Sequence, residues 1–170
     1  EVPSLTTESS FRKDSVYHTV LRADIPKYNL PYDDYPDIDG NFFIRNNRYG
    51  NEYVANSEAD YAWVYFALDS QKSDKEFYVL GLFNDYKADK TSQMQYDEKA
   101  QKYIARIYLK QGFYSYIIAT KGADGKLNYG EVNGNFWQTE NLYQAFLYYT
   151  PFGRNYDGLI GYGEFRTPVR

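Results

Sequence analysis

The stretch ADYAWVYFAL, residues 59 to 68, decides how the fold is read. From Tyr61 the side chains alternate. Ala62, Val64, Phe66 and Leu68 share one face of an extended strand, and Tyr61, Trp63, Tyr65 and Ala67 share the other. The aliphatic-rich set is the better core face, which leaves a row of rings on the opposite side. The same period of two recurs in Tyr103–Leu109, where Tyr103, Ala105, Ile107 and Leu109 point inward and Arg106 and Tyr108 outward, with Lys102 beside them. Val16–Leu21, Asn41–Arg45, Phe77–Phe83, Phe113–Ala119, Leu142–Tyr149 and Leu159–Phe165 also read as strands. Turn signals separate them, among them Asp39-Gly40, Gln111-Gly112, Asp124-Gly125 and Asp157-Gly158, whose residue types accept the positive φ of tight turns. Short strands at this spacing predict an all-β protein built as a sandwich.

Residues 59–170 are long enough to hold the sandwich alone. Residues 1–58 read differently. Prolines at 3, 26, 31 and 36 and the acidic run Asp33-Asp34-Tyr35-Pro36-Asp37 interrupt regular structure, so this segment is expected to be the end of a preceding domain or a linker. The chain opens Glu-Val-Pro, which reads as a piece of a longer protein.

Composition narrows the function. Aromatic residues make up 20% of the chain and 21 residues are tyrosine, a large supply of side chains with an apolar face and a hydrogen-bonding tip. They serve either half-buried strand positions or a binding face. The net charge is −4 and no basic block occurs, so no nucleic-acid partner is expected. No apolar run approaches the roughly 20 residues of a membrane helix, so direct membrane insertion is not expected.

Catalytic and metal chemistry lack their parts. There is no cysteine, and His18, the lone histidine, sits on a strand with nothing nearby to complete a site. Asp37-x-Asp39-Gly40 has the look of a calcium loop. Tyr35 stands where that loop needs an oxygen ligand, however, and Asn46 stands where it needs the closing acid. Adjacent acids such as Asp33 and Asp34 are unremarkable among 23. No catalytic residue, metal ligand or cofactor is assigned, and the chain is read as a non-enzyme.

Two resemblances give the sequence its specificity. WVYFALDS, YVLGLFNDY and MQYDEKAQKYIARIYLKQGFYSYIIATKG, within residues 63–122, resemble the early-set, immunoglobulin-like β-sandwich modules of glycogen- and starch-active proteins. In sugar-binding members of that group two tryptophans stack on glucose and a lysine bonds its hydroxyls. By that resemblance Tyr86 stands at the first tryptophan and Ile117 at the lysine, while the second tryptophan has no counterpart. Two of the three contacts are gone. If ligand binding persists, Tyr86 carries it, helped by Phe83 or Lys87, with α-glucan as the alternative ligand.

The second resemblance is broader. DIDGNFFI (37–44), ADYAWVYFAL (59–68), GLFNDY (81–86), YLKQGFYSY (108–116), GNFWQTENLYQAFLYYTPFG (134–153) and YDGLIGYGEF (156–165) occur in this order. Together they resemble the C-terminal region of the type IX secretion system plug family of Bacteroidetes. That resemblance implies a periplasmic protein associated with the outer membrane, which seals the mouth of a large translocon barrel. Broad complementary surface serves such a role better than catalytic groups. Phe136 and Trp137 beside Thr139-Glu140-Asn141, and Arg154 and Tyr156 in the loop that follows, are the candidate partner contacts.

Overall fold

The computed structural model describes residues 6–32, 38, 40–46, 54 and 57–167. Packing divides the chain into two units: Glu1–Pro31 with Pro36–Asn135, and Tyr32–Tyr35 with Phe136–Arg170.

In the first unit the strands are β1 (Thr7–Lys13), β2 (Val16–Leu21), β3 (Phe42–Ile44), β4 (Tyr61–Leu68), β5 (Glu76–Leu80), β6 (Gln93–Asp97), β7 (Lys102–Lys110), β8 (Gly112–Tyr114), β9 (Ile117–Lys121) and β10 (Leu127–Asn128). Eight of them form one hydrogen-bonded sheet in the order β1-β2-β4-β7-β6-β5-β9-β10, and β3 and β8 form a separate ribbon. The sheet changes layers at β6. Gln93 and Met94 pair with β5, whereas Gln95, Tyr96 and Asp97 pair with β7. Only β2 and β4 run parallel among the named pairs of this sheet. The result is the all-β sandwich expected from the alternation.

The core sits between the layers. Phe66, Leu68, Tyr103, Ala105 and Leu109 from β4 and β7 meet Phe77, Val79 and Ile118 from β5 and β9, with Met94 and Val132 filling the ends. These are the inward sets predicted for β4 and β7. Each fully buried Leu, Ile or Phe contributes about 1.5–3 kcal/mol by leaving water. β5 is buried on both faces, because its other side packs Tyr78 and Leu80 against Ala119 and the half-buried Ala88 and Leu127.

Two polar pins lock the layers. Tyr116 donates to the Asp24 carboxylate at 2.8 Å, and its ring stands edge-on to Phe66. Burial pushes the Asp24 carboxyl above its ordinary range, against the opposing pull of Tyr116 and Lys27. Asn133, in a helical turn at Gly130–Asn133, accepts from the Ile118 N–H at 3.2 Å and donates to its carbonyl at 3.0 Å.

The unit boundaries differ from the expected division at residue 59. β1 and β2 extend the first layer through the pairing of β2 with β4, so the sandwich begins well before that point. At the other end, residues 142–166 leave it. β11 (Leu142–Tyr149) and β12 (Gly158–Arg166) pair with each other in a separate two-stranded sheet, with a bulge between Leu147 and Tyr148. Two strand limits also change. Phe77–Phe83 stops at Leu80, and Phe113–Ala119 breaks at Ser115-Tyr116 into β8 and β9.

Candidate functional site

The Tyr86 turn is built by its neighbours. The chain leaves β5 at Gly81 and makes a 3-10 turn over Leu82–Asn84. The Asn84 side chain accepts from the Gly81 N–H at 3.0 Å and donates to the Val79 carbonyl at 2.9 Å. Asp85 and Tyr86 then adopt left-handed φ of 51° and 53°. Such a conformation costs a side-chain-bearing residue about 1–2 kcal/mol, so surrounding contacts must hold it.

The Tyr86 N–H donates to the Gly81 carbonyl at 3.0 Å and the Asp85 N–H to the Leu82 carbonyl at 3.2 Å, and the turn is braced from outside by Gly40. Its carbonyl accepts from the Leu82 N–H at 3.1 Å, and the Tyr86 hydroxyl lies 3.5 Å from the same oxygen. A Cβ at Gly40, whose φ is +74°, would overlap the Tyr86 hydroxyl. The next residue, Asn41, accepts from the Ser115 N–H at 3.0 Å. Three of the quoted motifs, around residues 40–44, 81–86 and 112–116, therefore converge on one backbone junction.

Tyr86, Phe83 and Lys87 all lie in or beside this turn. Phe83 packs edge-on to Tyr114 at 5.6 Å and lies against the core. Lys87 pairs with Asp85 at 2.9 Å. Tyr86 is 38% exposed, with its tip directed at Gly40. The Asp37 and Asp39 of the calcium-like stretch, and Asp33 and Asp34, lie outside the described residues. Among the described residues no group of three His, Asp or Glu side chains is placed to hold a metal ion.

The outer face of the first layer carries a larger aromatic array. Phe11 stacks on His18 at 5.0 Å, and His18 stacks on Tyr65 and shares a hydrogen bond with its hydroxyl at 3.0 Å. The Arg106 guanidinium sits over Trp63, 4.3 Å from the ring centroid. Trp63 leans on Tyr108, which stacks on Tyr61 at 5.2 Å, and the Lys110 ammonium lies over Tyr61. These are cross-strand neighbours by register: Phe11 opposite His18, His18 opposite Trp63, and Trp63 opposite Tyr108. Phe11, Lys13, Asp14, Val16, His18, Trp63, Tyr65 and Arg106 line an open groove of about 370 Å³. The alternation in β4 and β7 signalled the outward rings; Phe11 and Lys13 went unseen because β1 was not read as a strand. A second groove of about 540 Å³ includes Lys75 and Glu131, which pair with each other.

The second unit presents the other aromatic surface. Every residue of β11 is exposed. By register, Tyr143, Ala145, Leu147, Tyr149 and Phe165 share one uncharged face with Gly158, Gly161 and Gly163. The opposite face holds Phe146, Tyr148, Leu159 and Tyr162, then Gln144, Glu164 and Arg166 toward the open end. Thr139-Glu140-Asn141 closes that end. Thr139 donates to the Phe136 carbonyl at 3.0 Å, Asn141 bonds Thr167 through N–H and carbonyl, and Glu140 faces Arg166 at 3.6 Å. Of the predicted partner contacts, Phe136 packs on Tyr32, Trp137 is 77% exposed, and Tyr156 is exposed in the β11–β12 loop beside Arg154. Phe152, fully exposed at the tip of that loop, was not singled out by the sequence.

The architecture is thus a β-sandwich with an exposed aromatic hairpin. No family model and no curated protein matches the chain. It is similar to a crystal structure of a hypothetical protein from Parabacteroides merdae ATCC 43184, at 30% sequence identity and a TM-score of 0.81. The match covers 96% of this chain and 41% of that protein, so the chain spans about two fifths of the neighbour's length.

Proposed function

We propose that this chain is a non-enzymatic protein-binding module. In this reading it is the C-terminal part of a plug-like component that seals the periplasmic side of a type IX secretion barrel at the outer membrane. The observation that carries the protein-binding reading is the hairpin β11–β12, whose apolar rings are exposed on both faces. A lone two-stranded hairpin is marginal in water, and contiguous apolar surface of this kind marks an association site. Tyrosine and phenylalanine on strands suit it, because they add contact area at little entropic cost. The hairpin also consists of the last two motifs that resemble the plug family, which supports the narrower assignment.

The α-glucan reading draws less support. Tyr86, its remaining platform, directs its hydroxyl at the Gly40 backbone, and the Lys87 ammonium is paired with Asp85. The test is affinity purification of the full-length tagged protein from its native envelope, with Phe146→Glu and Leu147→Glu variants in parallel. Recovery of a very large outer-membrane barrel with the parent and its loss with both variants is the expected result. Retention on α-glucan without any barrel would overturn the proposal and make Tyr86 the residue to mutate.

A further inference from the structure

We propose that the groove on the outer face of the sandwich, between Lys13 and Arg106, takes an acidic, extended segment of a protein partner whose carboxylates pair with these two cations. Charge is the first argument. Lys72, Lys75, Lys87, Lys121 and Arg166 each have a carboxylate within 4.0 Å. Lys13 and Arg106 have none among the described residues, and neither do several other cations, such as Arg12, Arg22, Lys27 and Lys90; what sets these two apart is the groove they share. Both line the same groove, where Asp14 is the acid present, so its balance is positive on a molecule of net charge −4. A guanidinium held flat over an indole keeps its N–H edge for a carboxylate.

The rings argue for a peptide over a sugar or a nucleobase. Stacking ligands need an open aromatic face. Here Phe11 and His18 cover each other, His18 and Tyr65 do the same, and Arg106 covers Trp63. Ring edges and side-chain tips remain, which suit side chains of an extended segment.

The inference takes its kind of occupant from the protein-binding reading, but its assay needs no barrel, so the two fail separately. In a Trp137→Phe background Trp63 is the remaining tryptophan, and its fluorescence reports the groove. The probe is a synthetic decapeptide of alternating glutamate and threonine. Controls are the glutamine counterpart, oligogalacturonate and single-stranded oligothymidylate. The glutamate peptide is expected to give a saturable, salt-sensitive change. Arg106→Gln, Lys13→Gln or the glutamine peptide should each weaken binding roughly tenfold, the scale of one charge-assisted hydrogen bond, with circular dichroism unchanged. Equal binding of the glutamine peptide, indifference to Arg106→Gln, or no saturable change would overturn the proposal. Tighter binding of oligogalacturonate or oligothymidylate would reassign the face to a glycan or to nucleic acid.

Discussion

In the sandwich core, four tyrosine hydroxyls are tied down. Tyr103 accepts from the Ser73 N–H at 2.7 Å, Tyr114 donates to the Lys110 carbonyl at 2.6 Å, Tyr78 donates to Glu76 at 2.8 Å, and Tyr116 donates to Asp24. In the hairpin unit, Tyr143, Tyr148, Tyr149 and Tyr156 are more than half exposed, and their hydroxyls make no hydrogen bond among the described residues. The same residue type therefore builds structure at these core positions and is left as surface at those hairpin positions. Burial decides which: a phenol inside a core must find a partner, whereas one in water already has it. The hydroxyls of these hairpin rings are thus left to solvent.

The largest predicted effect lies where a sandwich tyrosine depends on a neighbour. Gly40→Ala should destabilise the protein by about 2–3 kcal/mol, the sum of a left-handed backbone penalty and a clash with the Tyr86 hydroxyl. Denaturant unfolding measures it. A shortened Tyr86→Phe side chain in the Gly40→Ala background should recover the clash and leave the backbone term. If Gly40→Ala is neutral, Tyr86 is not held by this junction, and a free stacking platform returns to consideration.

Next comes the outer aromatic face. Trp63→Ala removes the ring between Arg106 and Tyr108 and should cost roughly 1–2 kcal/mol, since stacked and cation-covered rings contribute beyond area alone. The loss should appear as a lower midpoint with an unchanged denaturant slope.

Which of these features could be read beforehand follows from their range along the chain. β4 and β7 were legible because Phe66, Leu68, Tyr103 and Ala105 alternate with outward residues within a few positions. β1, Thr-Glu-Ser-Ser-Phe-Arg-Lys, was not, because it carries a single large apolar residue and lies at the sheet's end. β6 escaped for a related reason: Gln93, Gln95 and Asp97 hide the inward Met94 and Tyr96 among polar residues. Tyr86 and Gly40 each read as turn residues, but no local signal couples positions 46 apart. The hairpin strands were legible by composition. Their separation from the sandwich was not, because exposure of a ring on a strand depends on what packs over it.

A pH experiment sharpens the contrast from within the core. Asp24 has its folded pKa raised above the ordinary 3.8, first by burial. The folded state therefore holds the proton more tightly than the unfolded chain does. Stability is fully present below the unfolded pKa and declines as pH rises through the folded one. Asp24→Asn keeps an acceptor for Tyr116 and removes the ionisation, so it should flatten that decline and match or exceed the parent's melting temperature at neutral pH. A variant that melts well below the parent at neutral pH would mean the charged form is favoured where it sits. Tyr78 and Tyr114 extend the test to alkaline pH. Burial pushes both up to about 12, so their contribution is complete below 10.0 and lost as pH climbs toward 12.

The smallest predicted change is the most informative about the hairpin. Leu147 is 60% exposed on the uncharged face, opposite Gly161. A side chain already in water loses no buried surface when it is replaced, so Leu147→Ser should alter stability by less than about 0.5 kcal/mol. The same substitution should weaken partner recovery, because the apolar contact is formed only in the complex. Thermal unfolding and pull-down from one preparation separate the two effects. A loss of about 2 kcal/mol or more would mean that the chain itself packs this face, and the difference between the two sets of tyrosines would then reflect two cores rather than a core and a docking surface.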